Sequence, residues 1–109
     1  MSYVNSPVGT WNADGDDHAT LRIDDDGTFT IAKASFDITT RQPTRSEFDG
    51  TGDWGLTSDG ESILLDFTSA SLSGFDLQTH ITLERSFQNG SILFEDPEQT
   101  HSITFRLQG

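Results

Sequence analysis

Six aspartates in two short groups, Asp14, Asp16 and Asp17 and then Asp24, Asp25 and Asp26, are the side chains of this chain most suited by type to chemistry. Carboxylate oxygens at such density are the ligands that calcium takes. The spacing departs from the loop that binds it, because no Asp-x-Asp-x-Asp-Gly run with a glutamate at the twelfth position occurs. Aspartates before a glycine instead make turns, since the side chain bonds its own backbone two residues on. If both groups stand at one end of the molecule, they form a single acidic rim suited to a cationic protein. That rim, with Leu72 and Phe75 as apolar anchors, is the expected partner-binding surface.

The remaining motifs fall short of a reaction. Gly50-Thr51-Gly52-Asp53-Trp54-Gly55 matches the glycine pattern of a phosphate loop. Such a loop needs a helix N-terminus behind it and no acid within it, whereas here Asp53 and Trp54 sit inside and a turn follows. His18, His80 and His101 have no metal-ligand spacing. No serine lies in a nucleophile elbow or beside an evident base. Carboxylate pairs carry no information in so acidic a chain, although two of them form the acid and base of a glycosidase. The reading is a non-enzymatic protein with no catalytic residue, no metal and no cofactor.

Net charge is −12, from 18 acidic and 6 basic residues, which disfavours nucleic acid and anionic membranes and permits a basic partner. With 109 residues the chain makes one domain over 1–109, and its core must be economical at 32% hydrophobic residues. Eight Phe and two Trp carry much of that core. The absence of cysteine and of a basic-then-apolar leader after Met1 points to the cytoplasm. No run approaches the roughly 18 apolar residues of a membrane helix.

Period-two alternation dominates, and it sets the elements that must position these groups. Ala19, Leu21 and Ile23 share one face; Phe29 and Ile31 follow the Asp26-Gly27 turn. Ile63, Leu65 and Phe67 repeat the pattern, as do Leu77, Thr79, Ile81 and Leu83. About eight strands result: 8–12, 18–24, 28–34, 50–56, 62–68, 77–85, 91–95 and 102–107. Residues 35–49 and 69–76 are left as longer connections, the first with room for a short turn of helix. The fold expected is all-β, a small up-and-down antiparallel barrel, with a sandwich as the other option. Gly9-Thr10-Trp11 and Gly52-Asp53-Trp54 each open a hairpin, the glycine for close backbone approach and the indole as a stopper for the barrel. Arg106, between Phe105 and Leu107, is placed either to stack over Trp11, a contact worth about 0.5–2 kcal/mol, or to pair with a surface carboxylate.

Gly9-x-Trp11 with Arg106 in the last strand resembles the lipocalin and calycin pattern. That resemblance implies a Trp plugging the barrel base and an Arg from the closing strand packed across it. Over nearly the whole chain, Val8-Gly9-Thr10-Trp11, Asp26-Gly27-Thr28-Phe29-Thr30, Gly50-Thr51-Gly52-Asp53-Trp54 and Leu93-Phe94-x-Asp96-Pro97 to Phe105-Arg106 are similar to a group of small uncharacterised actinobacterial β proteins. The expected function is binding of a basic protein, in the manner of an immunity protein neutralising a toxin, by a monomer or weak dimer. The alternatives are a calycin-like carrier of a small apolar ligand and a structural, oligomerising β domain.

Overall fold

The structure is a computed structural model that describes residues 6–14, 18–37, 42–77, 81–95, 98, 100 and 102–107, with only the backbone of 42–46. Among these the chain forms strands and no helix: β1 (Gly9–Ala13), β2 (Thr20–Ile23), β3 (Thr28–Asp37), β4 (Gln42–Leu56), β5 (Ser62–Leu72), β6 (Phe75–Leu77), β7 (Ile81–Ser86), β8 (Ser91–Glu95) and β9 (Ser102–Leu107). All pairings are antiparallel, in the order β6-β5-β4-β3-β2-β1-β9-β8, with β7 also on β5. β6 pairs residues 70–72 of β5 and β7 pairs residues 62–67, so the two cover successive stretches of one edge. The sheet thus curls as an up-and-down barrel, open along the side where β7 faces β8.

Alternation explains which side chains fill it. Trp11, Leu21, Ile23, Phe29, Ile31, Phe48, Ile63, Leu65, Phe67, Ile92, Phe94 and Phe105 are buried, while their neighbours Thr10, Arg22, Thr30, Thr51, Thr82, Leu93 and Arg106 lie outside. The outer face is mostly polar, the reverse of a barrel facing lipid. No helix of the described residues is long and apolar enough to cross a membrane.

Two bulges lengthen strands beyond the expected limits. Ile31 and Ala34 both point inward, three residues apart, because Lys33 adopts a left-handed φ of 60° and adds a residue to the strand. Its amide donates to Asp49 Oδ1 at 3.1 Å. Phe67 and Ala70 are likewise both buried across a register shift opposite Thr51 and Gly52. Each bulge reverses the phase of its own strand, so residues 35–37 of β3 and 69–72 of β5 are strand where a connection was expected, and β4 likewise starts at Gln42. Residues 69–72 and 75–77 form a hairpin through Ser73 and Gly74, both with positive φ.

Three turns close one end of the barrel by the same geometry. Gly27, Gly60 and Gly90 have positive φ, and their amides donate to Asp24, Thr57 and Phe87 carbonyls at 3.3, 2.9 and 2.9 Å. The preceding Asp26, Asp59 and Asn89 each accept from the backbone amide two residues on, at 3.1, 3.0 and 3.1 Å. This is the three-to-five-residue hairpin connection that suits an Asx-Gly pair.

The two carboxylates also set a pH response. The Thr28 hydroxyl and amide hold Asp26 below the usual carboxylate range, and the Thr57 hydroxyl and Glu61 amide do the same for Asp59. A depressed folded pKa gives stability that is present above the unfolded value and lost as pH falls through the folded one. In acid titrations followed by circular dichroism, Asp26→Asn and Asp59→Asn chains should therefore lose less stability below the ordinary carboxylate range than wild type. A parallel acid limb in the variants would refute the assignment.

Candidate functional site

Strand direction decides where the expected site residues lie. β1 and β2 are antiparallel, with Gly9 opposite Ile23 and Asn12 opposite Thr20. The connection after Ala13 and the turn after Ile23 therefore stand at opposite ends of the barrel. Asp14 belongs to one end and Asp24, Asp25 and Asp26 to the other, and Asp16 and Asp17 lie outside the described residues. The single acidic rim is thereby corrected for the described residues: consecutive tips of a meander alternate ends, so Asp14 does not join Asp24, Asp25 and Asp26.

Three of the described aspartates, Asp14, Asp24 and Asp26, have local partners. Asp24 accepts from Arg22 Nε at 2.9 Å, and Asp26 holds Thr28. Asp14 takes Arg106 Nε, whose side chain is 61% exposed on the outer face. Arg106 is thus a surface arginine paired with a carboxylate rather than a cation stacked over Trp11. Its register partner is Asn12, which points away from the barrel interior, so the guanidinium leaves on the side opposite the indole. No group of three or more His, Cys, Asp or Glu side chains gathers as metal ligands among the described residues. His80, His101 and the Asp96-Pro97 turn lie outside them.

The two indoles act at the end closed by the Asx-Gly turns. Trp11 is fully buried and its Nε1–H donates to the Pro7 carbonyl at 2.9 Å. Trp54 is half-buried against the core, and its Nε1–H and amide bond the Asp24 and Gly27 carbonyls at 2.6 and 2.9 Å. Each indole buries its rings while its polar edge fastens a neighbouring segment.

Phe75 stands at the opposite end. It is 78% exposed, the most exposed of the large apolar residues described. Registers Phe48↔Leu72 and Leu72↔Phe75 place the three side chains in one row on the inner face, from buried to half-buried to bare. The core therefore runs out onto a lip of the barrel. The lip is tied to β4, since the Ser73 amide donates to the Glu47 carbonyl at 2.8 Å. Exposed Glu47 and Asp76 flank it, with half-buried Asp49 across the row from Ser71 and Asp76.

Sequence reading passed over Arg85. It follows Ile81 and Leu83 at an inward position, opposite Ile63. Its guanidinium carbon lies 5.3 Å from the Phe94 ring centre, and its Nε donates to the Leu93 carbonyl at 3.1 Å. The cation over an aromatic ring at the barrel wall is thus supplied by Arg85 and Phe94. The signal was a charge within an apolar alternation that resumes at Phe87.

Grooves formed by described residues open to solvent: about 490 Å3 beside Arg85, Ser91 and Leu93, about 310 Å3 beside Val8 and Arg22, and about 190 Å3 beside Thr30 and Thr51. Inside, Phe29 and Phe67 meet edge to face at 5.0 Å, Phe48 and Phe67 at 6.3 Å, and Phe94 and Phe105 at 6.0 Å. Fold and surface together define a small antiparallel β-barrel with aromatic rings packed among its described inner residues and an apolar lip. No family model, curated protein or solved structure matches the chain.

Proposed function

We propose that this protein is a non-enzymatic binding module for a basic protein, acting in the cytoplasm. The particular case we favour is an immunity protein that neutralises a toxin by covering it. The observation that carries the reading is Phe75, a large aromatic ring bare on a hairpin tied to β4. Aromatic side chains that fill a partner's pocket dominate binding energy, and flanking contacts mainly exclude water. Exposed Glu47 and Asp76, next in sequence to Phe48 and Phe75, in a chain of net charge −12, favour a partner whose pocket is rimmed by lysine and arginine. The partner surface is accordingly Leu72 and Phe75 with these acids, while the Asp24–Asp26 turn contributes long-range attraction only. A carrier role draws less support, because Phe29, Phe48, Phe67, Phe94 and Phe105 all turn their rings into the described interior.

Kinetics with the captured partner test this. Phe75→Ser should weaken binding about thirtyfold through a faster off-rate, matching about 2 kcal/mol for a central anchor. Added salt should slow association of both chains alike. An unchanged off-rate in Phe75→Ser, or association indifferent to salt, would end the proposal.

A further inference from the structure

Among the described residues, successive strands are joined by a ladder except β6 with β7, which lie one after the other along β5, and β7 with β8. The turn between β7 and β8 does not cause their separation. The same turn after β2 and after β4 is closed by a further backbone bond, Asp24 amide to Thr28 carbonyl at 2.9 Å and Thr57 amide to Ser62 carbonyl at 3.0 Å. At the third turn Gly90 bonds Phe87, but its own carbonyl then accepts from Leu107 in β9 at 3.1 Å. β8 is thus drawn toward β9 and away from β7. The groove of about 490 Å3 lies in the opening, bordered by Arg85, Ser86, Asn89, Ser91, Leu93 and Glu95.

Arg85 spans that opening from an inward position. Its Nε–H reaches the Leu93 carbonyl, an acceptor that a neighbouring strand would otherwise use. An inward-pointing charge on an edge strand is a known guard against unwanted strand pairing. A guard implies an edge able to pair. Outward carboxylates stand along both margins, exposed Asp76 on β6, exposed Glu84 on β7 and Glu95 on β8. On the inner side lie Phe94, Leu83 and Leu77, with Phe75 at the lip.

We propose that the opening between β7 and β8 receives an extended segment of the basic partner as an added strand, with apolar residues inward and lysine or arginine outward. Arg85 holds the place until that strand arrives. Main-chain bonds to the β8 edge would supply affinity, and the alternating side chains specificity. This rests on the reading of a basic partner and adds its mode of attachment.

The probe is an end-blocked hexapeptide of alternating valine and lysine, followed by backbone amide shifts and hydrogen exchange of the full chain. Saturable binding with new protection confined to residues 82–86 and 91–95 is expected. A peptide with proline at a central valine should fail, as should alternating valine and glutamate. Arg85→Gln should bind the lysine peptide about fivefold tighter, the worth of the one hydrogen bond no longer displaced. Wild-type mapping decides the matter if that variant does not fold. Equal binding by the proline peptide, shifts centred on the Asp24–Gly27 turn, or no saturable binding would overturn the proposal. Should the peptide map elsewhere while Phe75→Ser still releases the partner, the added strand fails and the binding role stands. Should the peptide occupy the opening while the partner ignores Phe75, the failure lies with the lip.

Discussion

A Gly52→Ala chain should unfold about 10–20 °C below wild type, the counterpart of about 3 kcal/mol in a domain of this size. A methyl group at Gly52 would stand 1.9 Å from the Asp66 carbonyl oxygen and 2.9 Å from its carbon. Both are backbone atoms of the adjacent strand, so no side-chain rotation relieves the clash. Relief requires β4 and β5 to separate at the bulge where they cross from Gly52↔Phe67 to Thr51↔Ser69. Gly55→Ala is the control, because an added methyl there meets nothing within 4 Å. Thermal unfolding by circular dichroism compares the two. Equal midpoints for both variants would show that the close approach at Gly52 does not govern the barrel.

Phe67→Ala should cost about 3–5 kcal/mol, the range for removing a fully buried aromatic side chain. Its ring is enclosed by Phe29 and Phe48 and lies over Gly50, where a methyl group would stand only 2.9 Å from Phe67 Cε2. Glycine at 50 makes the space and the ring fills it, so truncation leaves a cavity that backbone on one side cannot close. In urea the midpoint should fall with the slope unchanged. Phe75→Ala, by contrast, should leave the midpoint nearly where it was, because its ring is already in water. A large loss of stability in Phe75→Ala would mean that the ring packs into the fold and is not held out for a partner.

The contrast between Phe67 and Phe75 also shows how far the sequence could be read. Alternation and turn signals located β1, β2, the first half of β3, the second half of β4, the first half of β5, β7, β8 and β9, because nothing disturbs the phase there. Alternation sets Phe67 and Phe29 in the interior, whereas Trp11 is marked as a stopper by its Gly-x-Trp phrase. The phase reverses at Lys33 and again between Phe67 and Ala70, and past those points a strand looks like an irregular connection. A bulge leaves no composition signal: Lys33 is a residue that rarely adopts a left-handed φ. Leu72 and Phe75 were singled out as apolar residues in a serine-rich stretch. Their common row with Phe48 emerges only from the register.

The rim and Arg106 turn on strand direction and face. A single rim needs Asp14 and Asp24–Asp26 at one end, and successive hairpin tips in a meander lie at opposite ends. That follows from strand count alone. Arg106 drew interest through its neighbours Phe105 and Leu107, yet alternation already set it on the outer face, where Asp14 meets it. Arg85 occupied the inward phase of the clearest strand in the chain and went unremarked. A charge in phase with Ile81, Leu83 and Phe87 is the pattern that marks an edge strand beside an unpaired side.

The central claim is that recognition occurs at the Phe75 lip and not at the acidic turns of the other end. The deciding measurement is quantitative affinity capture from the source cells with wild type, Phe75→Ser and Asp25→Asn/Glu61→Gln, the last altering exposed acids at the far end alone. A basic protein retained by wild type and by the double variant, and lost from Phe75→Ser, is the predicted result. Retention by Phe75→Ser together with loss from the double variant would contradict it.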